Sequence, residues 1–87
     1  MTELAIRRGI VRALRQAGAY VLVTTGVAQA GTPDLLICWQ GRFLALEVKQ
    51  PKNYTTLSQR GQLLRIEGAG GTAKVVHSIS EALMALT

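Results

Sequence analysis

Three charged side chains stand in a part of the sequence that is otherwise strongly apolar. Asp34 begins one apolar run, Glu47 and Lys49 end the next, and a Gln-Gly pair separates the two runs. Two such runs around a short glycine-containing turn predict a β-hairpin. With the turn centred on the Gln-Gly pair, opposing residues have numbers that add up to 81. Asp34 then faces Glu47 with Cβ atoms roughly 5 Å apart, and Lys49 projects from the same face because side chains alternate along a strand.

Two facing carboxylates on a half-buried sheet repel each other, so this arrangement needs a positive charge. Lys49 can supply one, and a divalent metal ion between the acids would supply more. An oxygen-rich ligand set suits Mg²⁺, with Mn²⁺ as a substitute, and the main-chain carbonyl of Val48 offers a further oxygen. A lysine beside such a metal can orient or deprotonate a water that attacks a phosphate. The alternative is a simple salt bridge between Lys49 and one acid.

Composition limits the other kinds of site and suggests the partner. The chain has 87 residues, which predicts one domain with a small core. Its net charge of +5 is typical of a protein with a polyanionic partner, and on charge alone a merely soluble basic protein is an equal alternative. A single cysteine and a single histidine exclude a disulfide and a zinc site. No run of 18 apolar residues and no signal peptide are present, so we expect an intracellular protein without a membrane span. Because the core is small, we also expect self-association.

Periodicity and turn residues predict the order α-β-β-β-α-β-α. Ser58 or Thr56 can cap the second helix, and Ser78 or Ser80 the third. Both faces of the central hairpin are apolar, so helices should cover both faces of a mixed four-stranded sheet. Cys38 faces Phe43 in this pattern and is expected to be buried and inert. The predicted segments are a helix at 2–17, a strand at 20–25, a loop at 26–31, the hairpin strands at 34–39 and 43–49, a loop at 51–56, a helix at 57–67, a strand at 73–77 and a helix ending at 86.

These residues resemble the PD-(D/E)xK nuclease superfamily, whose restriction-endonuclease-like core has this order of elements. Gly31-Thr-Pro-Asp34 is similar to its first half-motif, and Glu47-Val-Lys49 to its second. The virus-type replication-repair nuclease (VRR-NUC) domain is the most similar member. Its sequences have a glutamate in an N-terminal helix, then G-x-P-D-L-L, E-x-K-x-P, a helical glutamine and Gly-Gly before a strand. The matching residues in this chain are, in the same order, Glu3, 31–36, 47–51, Gln59 and 70–71.

The resemblance covers nearly the whole chain and implies a role for each matched residue. Asp34 and Glu47 would bind the metal, Lys49 would serve the attacking water, and Gln59 would support the site, with Gln62 as the alternative glutamine. Glu3 would be an additional metal ligand. From the residues alone, Glu3 lies in the middle of the apolar face of its helix, where a carboxylate needs a reason. A first-turn acid favoured by the helix dipole is an equal explanation.

The basic residues and the partner are predicted more broadly. Candidates for phosphate contacts are Arg8, Arg12, Lys52 and Arg60. By resemblance, the chain is a stand-alone nuclease domain that acts as a homodimer on branched DNA such as Holliday junctions, and we expect its interface at Trp39 or the last helix. The alternatives are a nuclease of other polarity or substrate, including flaps, 5′ ends or RNA, a catalytically silent nucleic-acid-binding module, and an accessory subunit with a salt-bridge network.

Overall fold

The computed structural model describes residues 1–26 and 29–87. The order of elements is the predicted α-β-β-β-α-β-α, and the predicted loop at 26–31 includes Val27 and Ala28, which lie outside the described residues. Within the described ranges the elements are α1 (Glu3–Gln16), β1 (Tyr20–Val23), β2 (Leu35–Trp39), β3 (Arg42–Val48), α2 (Leu57–Gly68), β4 (Thr72–Val76) and α3 (Ile79–Met84).

Helix α1 forms because a capping residue precedes a stripe of apolar side chains. The hydroxyl of Thr2 accepts a hydrogen bond from the N–H of Ala5 at 3.1 Å, which satisfies a free donor of the first turn. Ile6, Ile10 and Leu14 are buried on one face of the helix. The predicted segment was one residue longer at each end because it included the two caps. Among the described residues, no helix is long and apolar enough to cross a membrane.

The sheet is mixed, with the strands in the order β1-β2-β3-β4. The first three strands are antiparallel neighbours, and β4 pairs with β3 in parallel after the crossover through α2. Leu35 pairs with Leu46, so the predicted hairpin register is confirmed. The φ angles of Gln40 and Gly41 are 48° and 77°. Two positive φ angles are typical of a type I′ turn, whose twist matches that of the flanking strands.

Helices α1 and α3 cover one face of the sheet and form the main core with it. Gly9 of α1 lies against Ile79 of α3, where an added Cβ would stand 2.9 Å from the Ile79 side chain. Because glycine has no side chain, the two helices can approach each other closely over the sheet. The core side chains on this face include Ile10, Leu14, Leu35, Ile37, Leu44, Leu46 and Val48.

Helix α2 covers only the β3–β4 half of the opposite face. Leu63 of α2 packs over the buried Ala45 and Ala73 of these strands, whereas Tyr20 at 67% and Phe43 at 48% remain exposed. We call the uncovered part of this face, formed by Tyr20, Leu22, Leu36, Cys38 and Phe43, the open sheet face. The prediction of helices on both faces is therefore confirmed, but the expected burial of Cys38 is wrong. Cys38 pairs with Phe43 as predicted and is exposed, because α2 does not extend over β2.

Candidate active site

The two acids meet at the open end of the β2–β3 hairpin. Glu47 lies in β3 and is only 2% exposed, while Asp34 directly precedes β2 and is half-buried. The Asp34 carboxylate accepts a hydrogen bond through Oδ2 from the N–H of Val48 at 2.8 Å. This bond fixes the side chain of Asp34 across the strand beside Glu47. The hairpin register alone therefore brings together two carboxylates that are 13 positions apart in sequence.

The end of β1 holds the backbone that carries Asp34. The N–H of Thr24 donates to the carbonyl of Asp34 at 3.0 Å. Its hydroxyl lies 2.6 Å from the carbonyl oxygen of Pro33 and 3.1 Å from that of Asp34. A β-branched threonine both suits the strand end and supplies this hydroxyl. Three strands therefore position the Pro33-Asp34 pair.

Gly31 brings the loop before Asp34 into contact with the first turn of α2. Its φ of +76° lies in the left-handed region, and an added Cβ would stand 2.4 Å from the backbone carbonyl of Ser58 and 2.8 Å from the N–H nitrogen of Gln59. Only glycine fits such an approach without a shift of backbone. The half-motif that carries Asp34 is thus packed directly against the helix that carries Gln59.

Gln59 connects the cap of α2 to the buried acid. Its Oε1 accepts from the N–H of Thr56 at 2.9 Å, and the hydroxyl of Thr56 accepts from the N–H of Gln59 at 3.2 Å, which forms a capping box. Its Nε2 donates to Oε2 of Glu47 at 3.0 Å. Gln62, the alternative glutamine, instead donates to the carbonyl of Ala30. Thr56 rather than Ser58 is the capping residue.

The environment of Glu47 disfavours its negative charge. Burial, and after it the neighbouring carboxyl of Asp34, raise the pKa of Glu47 from its ordinary value of 4.5 to about 7. The positive charge of Lys49 opposes this rise. The Lys49 ammonium lies 3.8 Å from Oε2 of Glu47, at the limit of an ion pair. Among the described residues, Oε1 of Glu47 is buried and has no hydrogen-bond partner. The site therefore lacks positive charge at one defined carboxylate oxygen.

The donor set fits a hard divalent cation. Asp34 and Glu47 supply carboxylate oxygens, one of them the unpartnered Oε1, and Mg²⁺ is held in proteins by one or two carboxylates plus waters. The N–H and carbonyl of a strand residue point to the same edge, so the Val48 carbonyl faces the side on which its N–H meets Asp34. In residues 1–26 and 29–87, no three acidic, histidine or cysteine side chains form a group that could hold a metal ion. Glu3 is therefore not grouped with the two acids, and its role as a ligand stays a prediction.

The predicted phosphate-contact residues lie outside this cluster. Arg8 and Arg12 are exposed on α1, and Lys52 and Arg60 are exposed on the loop before α2 and on α2 itself. Arg7, which is not among the predicted phosphate-contact residues, lines a cleft together with Asp34 and Gln59. A signal for it existed, because at 100° per residue Arg7 lies about 40° from Glu3, at the border of the apolar face.

Comparison with known proteins identifies the class of fold. No protein-family model matches the sequence. No curated protein matches it either. The architecture is that of a VRR_NUC domain. A solved structure described as "VRR_NUC domain" superimposes with a TM-score of 0.80 over 94% of this chain and 90% of that chain, at 21% sequence identity. The resemblance predicted from the half-motifs is thus confirmed for the fold.

Proposed function

We propose that this protein is a Mg²⁺-dependent nuclease of the PD-(D/E)xK type that hydrolyses phosphodiester bonds in DNA. The observation that carries the proposal is the pair of half-buried Asp34 and buried Glu47, in which Oε1 of Glu47 has no hydrogen-bond partner among the described residues and Lys49 lies 3.8 Å from Oε2. The pair lies at the end of a hairpin whose positions 35–39 and 43–46 are all apolar, where two acids are costly to the fold. The VRR_NUC architecture supports the same reaction class.

Each residue of the cluster has a distinct task in this hydrolysis. The N–H of Val48 and the amide of Gln59 each hold one oxygen of Asp34 and Glu47, respectively, and so orient the carboxylates. The Lys49 ammonium, 3.8 Å from Glu47, positions the attacking water and stabilises negative charge on the phosphate. The water oxygen forms the new bond to phosphorus as one ester P–O bond breaks; the water proton passes to solvent, and the leaving ester oxygen takes up a proton from solvent to become a hydroxyl.

A Mg²⁺ ion would be held by Asp34 and Glu47, with the Val48 carbonyl as a further ligand. When bound, it supplies the Lewis acid chemistry that polarises the phosphate and lowers the pKa of a bound water. Its charge would also offset the burial and the repulsion by Asp34 that raise the pKa of Glu47. The same ligand set would accept Mn²⁺.

The non-enzymatic alternatives explain fewer of the observations. A static salt-bridge network would pair both oxygens of a buried carboxylate, whereas Oε1 of Glu47 has no partner among the described residues. A silent nucleic-acid-binding module does not need Lys49 beside two converging acids. RNA, flaps and 5′ ends are the other substrates to test, because the residues of the cluster contact phosphate and do not distinguish among them.

The finer proposal is a homodimer that acts on branched DNA such as a Holliday junction. The open sheet face is apolar and carries no charged side chain, so a second copy of this +5 chain can approach it without close charge repulsion. Trp39, the predicted interface residue, instead packs partly against the core. Asp34 and Glu47 lie at the end of the same face, so a dimer formed there holds two active sites on one side, as two-strand cleavage requires.

The deciding experiment combines cleavage with metal binding. Duplex, flap and four-way-junction DNAs, with matched RNAs, are incubated with the protein and Mg²⁺, and Mg²⁺ binding is titrated by calorimetry. We expect cleavage and specific binding in the wild type, and the loss of both in Asp34→Asn and Glu47→Gln. Glu67→Gln, which removes an exposed carboxylate from α2, is the matched control. Near-native cleavage by either variant of the pair would refute the metal-site assignment.

A further inference from the structure

A polar cleft lies directly beside Asp34. It encloses about 320 Å³ and is bordered by α1, the end of β1, the loop before Asp34 and the first turn of α2. Its lining is mostly hydroxyl and amide groups, with one cation, Arg7, and one anion, Asp34. A cleft with this lining is suited to an anion that accepts several hydrogen bonds.

Arg7 is half-buried in this cleft and makes no hydrogen bond or ion pair with the part of the chain that the structure describes. In residues 1–26 and 29–87, the arginine side chains that donate hydrogen bonds are Arg15 and Arg42, and the lysine or arginine ion pair within 4.0 Å is that of Lys49. Asp34, in the same cleft, is already engaged by the N–H of Val48. A partly desolvated guanidinium without a partner is unfavourable unless a ligand supplies the negative charge.

Two hydroxyl groups of the cleft add to the donors of Arg7. Thr24 and Thr32 use their hydroxyl protons on backbone carbonyls. Thr56 only accepts, from the N–H of Gln59, so its own O–H proton is free to donate. Thr25 is exposed at the rim and makes no side-chain hydrogen bond to the described residues. Arg7, Thr25 and Thr56 therefore surround the cleft with unused donors.

Arg7 also borders a second and larger depression on α1. This groove encloses about 700 Å³, and four arginines of α1 line it above a floor that includes Leu4, Val11 and Val23. Arg15 donates to the carbonyl of Val21 at 3.1 Å, and Arg8 and Arg12 are the other exposed charges along the groove. The two depressions share Arg7. A nucleic-acid backbone can therefore pass from one to the other while its phosphates stay close to arginine side chains.

We propose that Arg7 is a phosphate-binding residue of the active-site cleft. Its side chain binds the phosphodiester group adjacent to the one that is cut. This inference rests on the proposed nuclease function and deepens it. The guanidinium forms bidentate hydrogen bonds with that phosphate, and the hydroxyls of Thr25 and Thr56 complete the subsite. The DNA strand then continues along Arg8 and Arg12. Arg7 thereby fixes which phosphate lies beside Asp34 and Glu47.

The test couples Arg7 to one particular phosphate. DNA affinity is measured in Ca²⁺, which supports binding without turnover, on a series of substrates in which one phosphate at a time is replaced by a neutral methylphosphonate. Arg7→Met keeps the half-buried stem and removes the charge, and Arg7→Lys keeps the charge and removes the fork. Lys74→Ala removes one exposed charge from β4 and is the matched control. Circular dichroism and thermal melting establish that each variant is folded.

We expect wild-type affinity to fall about tenfold when a phosphate adjacent to the cut site is neutralised. Arg7→Met should lose about tenfold on the unmodified DNA and nothing further at that position, Arg7→Lys should recover only part of the loss, and Lys74→Ala should keep the wild-type profile. Additive losses at every position, or wild-type affinity in Arg7→Met, would overturn the role of Arg7. Cleavage is measured separately in Mg²⁺, so a wild type that binds DNA with this coupling but never cuts refutes the nuclease function and leaves the subsite standing.

Discussion

Gln59 holds Glu47 with the same side-chain amide that caps helix α2. Its oxygen accepts from the N–H of Thr56 at 2.9 Å, and its nitrogen donates to Oε2 of Glu47 at 3.0 Å. The capping box leaves the amide one orientation, because a flip would direct N–H groups at the N–H of Thr56. The orientation of the buried carboxylate is therefore linked to the start of the crossover helix α2.

Replacing the amide by a carboxylate separates these two tasks. Gln59→Glu can still cap Thr56 but cannot donate to Glu47, and it adds a third negative charge to the site. We expect the cleavage rate at saturating Mg²⁺ to fall roughly tenfold to a hundredfold, since a hydrogen bond to a charged group is lost. Gln62→Glu adds the same charge one turn later and should stay within about twofold of the wild type. Equal rates for the two variants in single-turnover cleavage would contradict the role of Gln59.

The stability of the metal-free protein should depend on pH through Glu47. Its pKa is raised from 4.5 to about 7 in the folded protein, so between these values the folded state binds more protons than the unfolded state. The contribution is complete below pH 4.5 and is lost as pH rises through 7. One pKa unit corresponds to about 1.4 kcal/mol, so the free energy of unfolding should fall by about 3 kcal/mol over this window.

Urea unfolding in EDTA at a series of pH values measures this dependence. Glu47→Gln should remove most of the fall, whereas Glu67→Gln should retain it, because Glu67 is exposed. Added Mg²⁺ should restore stability mainly above pH 7, where the carboxyl of Glu47 is ionised and can bind it. If the free energy of unfolding of the metal-free wild type did not change with pH, then burial and Asp34 would not raise the pKa of Glu47.

Lys49 should act on the rate of the chemical step rather than on DNA affinity. Its ammonium lies 3.8 Å from Glu47 and only 13% of its side chain is exposed, so its charge is directed at the reacting centre. We expect Lys49→Ala to lower the single-turnover rate by roughly a hundredfold or more, with little change in the dissociation constant measured in Ca²⁺. If the variant loses affinity but cuts normally once it is bound, then Lys49 is a phosphate anchor and the assigned role is wrong.

The open sheet face should control the oligomeric state. A lysine in place of Leu22, which is 48% exposed on β1, would put a charge on this face without disturbing the core. Light scattering at micromolar concentration should give a dimer for the wild type and a monomer for Leu22→Lys. Met84→Lys, on the exposed side of α3, is the control that tests the alternative interface predicted from the sequence. A monomeric wild type would require another explanation for cleavage of two strands.

The sequence was sufficient to predict the hairpin and the meeting of its acids, because the short turn determines the register. Leu35 opposite Leu46 follows from the position of Gln40-Gly41, and the placement of Asp34 beside Glu47 follows from that pairing. The exposure of Cys38 could not be predicted in the same way. An apolar strand face indicates that it can be covered, but the reach of α2 depends on how the crossover docks, which no local pattern encodes.

Arg7 illustrates a second limit of the sequence. Helical periodicity places its Cα at the border of the apolar face, but whether a long side chain extends towards solvent or into a cleft depends on what lies next to the helix. The neighbour here is the end of β1 with the loop before Asp34, which comes from a distant part of the chain. Gln59 and Gln62 posed a similar choice, which the capping box of Thr56 decides in favour of Gln59 at the site.

The contact between Gly31 and the backbone of Ser58 has a consequence for the connection between β3 and α2. An added Cβ at Gly31 would stand 2.4 Å from that backbone, so the two backbones are in direct contact. This contact determines the separation between the loop that carries Asp34 and the helix that carries Gln59. The length of the linking segment 51–55 therefore does not determine the distance between Asp34 and Gln59. Lengthening or shortening it should leave Asp34 and Gln59 where they are, so this segment is the natural place to insert a tag, a fluorophore or an additional DNA-reading module.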